Sequence, residues 1–91
     1  MSAVSIGRIV TKIMGREAGS KAVVTQLVDN KFVEISGPQE LTGVKRRRVN
    51  ISHIEPTEFT LAITAENNSD ETILDLINKE NDLKAVFEAR L

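Results

Sequence analysis

The stretch GRIVTKIMGREAGSKAVVTQLV, residues 7–28, decides the fold. Two β-branched apolar runs flank the segment Gly15-Arg16-Glu17-Ala18-Gly19-Ser20-Lys21, which carries glycine where a backbone has to turn sharply. Ile9, Val10, Ile13 and Met14 also fit helical spacing, but Gly7 and Gly15 fence that run to a length that suits a strand. Residues 22–28 read as a second strand. The stretch therefore predicts strand, glycine-framed loop, strand, with Arg16 and Lys21 projecting from the loop.

The same logic extends outward. Asp29-Asn30-Lys31 reads as a tight turn into a third strand over residues 32–36, which makes a hairpin with the second. Gly37-Pro38 breaks the sheet, because proline donates no backbone hydrogen bond, and a loop runs on to Gly43. Residues 44–51 give a fourth strand, and Phe59, Leu61 and Ile63 alternating with Thr60, Ala62 and Thr64 give a fifth. Five short strands predict a small barrel in a mainly β protein. After Asn67-Asn68 the period changes: Ile73, Leu74, Leu76 and Ile77 share a helical stripe, and Ser69 is placed to accept from first-turn amides. Asn81-Asp82 offers a second cap before Leu83, Val86 and Phe87. The expected organisation is a barrel over residues 1–66 and a short helical extension over 67–91, packed on the barrel or on a neighbour.

Charge is concentrated rather than merely supplied. The chain carries 12 Lys+Arg against 13 Asp+Glu, yet four cations, Lys45-Arg46-Arg47-Arg48, stand in a row. Up to Glu55 there are nine cations and five carboxylates (+4), and beyond it three and eight (−5). Such asymmetry points to a polyanion partner for one part and to solvent or protein for the other. Successive strand residues alternate faces, and a small barrel cannot bury an unpaired guanidinium cheaply. Either residues 44–49 run along a sheet edge where both faces reach solvent, or a phosphate backbone covers one face. Three arginines to one lysine favour bidentate phosphate recognition. Base stacking has little to work with, since Phe32, Phe59 and Phe87 are the only aromatic residues.

Other chemistries find no footing. The chain has no cysteine, so thiolate sites, disulfides and cysteine nucleophiles are excluded, and its single histidine, His53, has no second imidazole to complete a metal site and reads as a packing or RNA-contacting residue rather than a catalytic one. Ser69-Asp70-Glu71 is explained by a helix start, and residues 15–21 lack the Gly-Lys-Ser/Thr ending of a P-loop. The first residues lack a signal-peptide pattern, and no apolar run approaches the about 18 residues that span a bilayer. The reading is of a soluble, unexported protein without a catalytic centre.

Strand, loop and strand, with Gly19 in its place, resemble the KOW motif, a β-loop-β element of ribosomal proteins and transcription elongation factors. Gly7-Arg8-Ile9, Gly15 to Gly19, Gly37-Pro38, the stretch from Leu41 to Asn50 and His53-Ile54-Glu55-Pro56-Thr57, taken in this order, resemble the archaeal form of the L-fourteen-e family of ribosomal proteins. The likeness covers roughly residues 4–58, most specifically 41–57, and continues more loosely into the helical end. It implies an SH3-like barrel in the cytoplasmic large ribosomal subunit, bound to large-subunit rRNA and to neighbouring ribosomal proteins. It implies no catalysis, cofactor, metal, membrane or small-molecule substrate. Carried onto this chain, Arg16, Lys21, Lys45, Arg46, Arg47 and Arg48 become the RNA-facing set, joined by Asn50 and His53, with Arg8 and Lys12 on the first strand completing the candidates. Two departures stand out: Ala22 replaces a cysteine expected in many relatives, and the end after Pro56 is acidic and short, which favours protein contact there. The competing class is a KOW module of a transcription or translation factor that docks proteins.

Overall fold

The computed structural model describes residues 5–15, 18–37 and 44–79. Five strands form one antiparallel sheet: β1 (Arg8–Lys12), β2 (Lys21–Leu27), β3 (Phe32–Ser36), β4 (Arg47–Asn50) and β5 (Ile54–Thr60), in the spatial order β4-β3-β2-β1-β5. A one-turn 3-10 helix, Ile51–His53, carries the chain from β4 to β5, and a single described helix, α1, spans Asp70–Lys79. The architecture is the mainly β, five-stranded one expected from the sequence, and it is consistent with the SH3-like barrel that the resemblance implies.

Local chemistry sets the register. The Asp29 carboxylate accepts the amides of Lys31 and Phe32 at 2.7 and 2.9 Å, an Asx turn that reverses the chain between β2 and β3. Ile9 pairs with Val23 and Val10 with Ala22, so β1 and β2 alternate between two faces that are both apolar. Val10, Ala22 and Val24 meet Val33, Ile35, Val44, Val49 and Ile54 in the inner core. Ile9 and Val23 meet Leu61, Ile63, Ile73 and Ile77 in an outer core, which is roofed by α1. The two central strands are thus buried on both sides, as their near-continuous apolar pattern requires.

The ladder departs from the sequence-based expectation at its ends. The fifth strand starts at Ile54 and stops at Thr60, whereas the alternation at 59–64 placed it later. Leu61 and Ile63 are buried as that alternation implied, but they follow the strand: Leu61 N donates to Gly7 O, and Ile63 N to Leu61 O. Pro56 falls inside β5 opposite Val10, and it is tolerated because β5 is an outer strand. A bulge separates the Arg8 and Val10 pairings with β5. There the Thr57 hydroxyl donates to the Ile9 carbonyl at 2.7 Å and the Arg8 guanidinium to the Thr57 carbonyl at 3.1 Å, so irregular backbone keeps its partners. The fourth strand is shorter than residues 44–51, covering Arg47–Asn50, although Gly37 N still donates to Val44 O at 2.9 Å.

Helix α1 begins as expected. The Ser69 hydroxyl accepts the Thr72 amide at 3.2 Å, and Asp70 and Glu71 occupy the first turn, where carboxylates oppose the positive helix end. The loop at 38–43 and the second helix expected from residue 81 lie outside the described residues.

Candidate nucleic-acid interface

Strand β4 is an outer strand of the sheet, which resolves how four consecutive cations fit a small barrel. Lys45, Arg46, Arg47 and Arg48 are all exposed, while Val44 before them and Val49 after them are buried in the inner core. The strand thus keeps its apolar contacts and presents its charges at the sheet margin. The pairing of β3 with β4 sets Glu34 opposite Arg48 and Phe32 opposite Asn50. Phe32 and Arg48 are therefore diagonal neighbours on one face, and the Arg48 guanidinium carbon lies 5.7 Å from the Phe32 ring centroid.

Arg46 is held by three acceptors. One of its guanidinium nitrogens donates to Glu34 Oε1 at 3.0 Å, and the other to the Asn68 carbonyl at 2.7 Å and to Asp70 Oδ1 at 3.0 Å. Both acceptor carboxylates are also held by neutral donors: the Thr25 hydroxyl to Glu34 at 2.7 Å and the Ser36 hydroxyl to Asp70 at 2.6 Å. The Asn68 side-chain amide donates to the Thr25 carbonyl at 2.8 Å, tying the same linker to β2. This network joins β2, β3, the approach to β4 and the start of α1.

The remaining candidates divide by burial. Lys12 and Lys21 are only 6% and 7% exposed. Lys21 pairs with Thr11 on the face of Ile9 and Val23, and Lys12 lies on the opposite face with Val10, so the two flank the same end of the sheet. Arg8 is half-buried on the β5 side, and its Nε is buried with no hydrogen-bond partner among the described residues. Asn50 caps the 3-10 helix, its side-chain oxygen accepting the Ser52 amide and hydroxyl, each at 2.9 Å. His53 is half-buried, and its carbonyl accepts the Ile13 amide at 2.9 Å. Arg16 lies outside the described residues.

The exposed set brought together is therefore Lys45, Arg46, Arg47 and Arg48, of which Arg46 is engaged by Glu34, Asp70 and the Asn68 carbonyl. Sequence reasoning missed Glu34 and Asp70 as its acceptors. The available signal was the outward position of Glu34 between core-facing Val33 and Ile35, next to a strand rich in cations. Among the described residues no cluster of three or more His, Asp or Glu side chains could hold a metal ion. No described helix is long and apolar enough to cross a membrane.

No family model matches the chain. Curated relatives do. The chain is 56% identical over 71 residues to large ribosomal subunit protein eL14 of Pyrobaculum islandicum, a match that covers 78% of this chain and 68% of that protein. It is 47% identical over 81 residues to eL14 of Saccharolobus solfataricus, covering 89% and 83% of the two chains. With eL14 of Desulfurococcus amylolyticus it shares 49% over 79 residues, covering 87% and 81%.

Proposed function

The chain belongs to the archaeal eL14 family of large ribosomal subunit proteins, and from that premise we propose that it binds large-subunit rRNA through the basic margin of its sheet. Its role is structural and cytoplasmic, within the large subunit. The observation that carries the reading is the run Lys45 to Arg48, exposed along the approach to the outer strand β4 and its first two residues, with Val44 and Val49 on either side buried in the core. A segment anchored by Val44 and Val49 holds its cations at set spacing, so phosphate contacts form with little ordering cost. Lys45, Arg47 and Arg48 are the phosphate-contacting group, with Asn50, His53 and Arg16 as further contacts. Arg8, Lys12 and Lys21 are covered in this conformation and contribute chiefly as positive charge behind the surface.

The acidic segment beyond Asn67 turns a different chemistry outward. Asp70, Glu71 and Asp75 are exposed on α1, while Ile73 and Ile77 are buried against the sheet. That outer surface suits a basic ribosomal protein rather than RNA.

Replacing Lys45, Arg47 or Arg48 singly with alanine should lower affinity for large-subunit rRNA and reduce the slope of log affinity against log salt by about 0.7 to 0.9 per lost phosphate contact. Filter-binding titrations from low to high salt read both quantities. Slopes equal to wild type in all three variants would remove the basic run from the RNA interface.

A further inference from the structure

Arg46 stands in the middle of the basic run, yet its guanidinium is shared among Glu34, Asp70 and the Asn68 carbonyl. We propose that Arg46 is a positioning residue that neutralises two fixed carboxylates beside the RNA-binding margin, rather than a phosphate contact. The proposal rests on the reading of β4 as that margin.

The argument turns on what holds the carboxylates. Glu34 Oε1 also accepts from the Thr25 hydroxyl, and Asp70 Oδ1 from the Ser36 hydroxyl, and both hydroxyl residues are fully buried. The carboxylates are therefore pinned near β4 by donors that carry no charge. Glu34 lies directly opposite Arg48 in the ladder. Without the Arg46 cation, Glu34 would compete with phosphate for Arg48, and Asp70 would add a second repulsive charge at the margin. One Arg46 cation against two carboxylates leaves this trio at −1; removing the cation leaves −2, and neutralising all three leaves 0. The network also couples the surfaces: the same guanidinium that screens the basic strand fixes the start of the acidic helix.

The test compares three proteins on large-subunit rRNA across a salt series: wild type, Arg46→Gln, and the triple variant Arg46→Gln/Glu34→Gln/Asp70→Asn. At low salt Arg46→Gln should bind about threefold to tenfold more weakly, an effect that fades as salt screens it. The triple variant should recover at least wild-type affinity with the wild-type salt slope, because no phosphate contact has been lost. Recovery by removing acceptors is not what a merely structural role would give, since the triple variant lacks every ionic bond of the network. A triple variant whose slope falls by about 0.7 to 0.9 identifies Arg46 as a phosphate contact and overturns the proposal. Wild-type affinity in Arg46→Gln also overturns it. Circular dichroism establishes that each protein is folded, and if Arg46→Gln is not, the slope of the triple variant decides alone. Failure of the wider reading appears elsewhere, as unchanged binding in the Lys45, Arg47 and Arg48 variants.

Discussion

Gly7→Ala should lower folding stability by about 2 to 5 kcal/mol, the sum of left-handed backbone strain and overpacking. Gly7 has φ +95°, a conformation that costs residues with a Cβ, and a Cβ built there runs into the Leu61 carbonyl oxygen. The clash cannot relax cheaply, because the Gly7 amide donates to Val24 O at 2.8 Å and its carbonyl accepts from Leu61 N at 2.7 Å. Moving the strands apart breaks those bonds and draws Leu61 out of the outer core. Gly15 is the control: it has φ +87°, but a Cβ there meets only Lys12 Nζ at 3.9 Å. Gly15→Ala should cost about 1 to 2 kcal/mol, the conformational part alone. Equal denaturation midpoints for the two variants would show that the approach of Gly7 to Leu61 is not needed for folding.

The second large effect is expected at α1. Ile73→Ala and Ile77→Ala should each destabilise the whole protein by about 2 to 5 kcal/mol, the range for emptying a fully buried isoleucine site. Both side chains have no solvent exposure and pack on Ile9 and Val23, which belong to the two central strands. A domain of this size has roughly 5 to 15 kcal/mol in total, so the double substitution should leave much of the population unfolded. The helix and sheet should also melt together, because a 10-residue helix is too short to persist alone. Guanidinium titrations that follow helix and sheet signals separately check this. A helix signal that disappears first, with the sheet midpoint unmoved, would make α1 an appendage rather than part of the core.

Both predictions concern features the sequence discloses unevenly. β3 was legible to the residue, because an Asx turn precedes it and Val33 and Ile35 alternate with polar neighbours. The start of β5 was hidden by Pro56, which argues against a strand until the strand is known to be an outer one. Leu61 and Ile63 revealed their burial but not that they leave the ladder, since alternation reports the side-chain environment and not the hydrogen-bond partner. At the candidate interface, the cluster Lys45 to Arg48 was plain. The bonding of Arg46 to two carboxylates was not, because Glu34 and Asp70 lie 12 and 24 positions away and reach it only through sheet pairing and helix docking. The burial of Lys12 and Lys21 was equally hidden, for it depends on which strand end the core covers.

The position of β4 has a consequence before any partner is met. Among the described residues β4 and β5 each have a strand neighbour on only one side, and such margins invite chains to stack strand upon strand into aggregates. On β5, Pro56 removes an amide that a stacking strand would need. On β4, the exposed side chains are cationic, so two copies of this margin repel each other while a polyanion is drawn in. Arg47 and Arg48 thus serve as a solubility guard against stacking at this margin, one that a bound polyanion would lift.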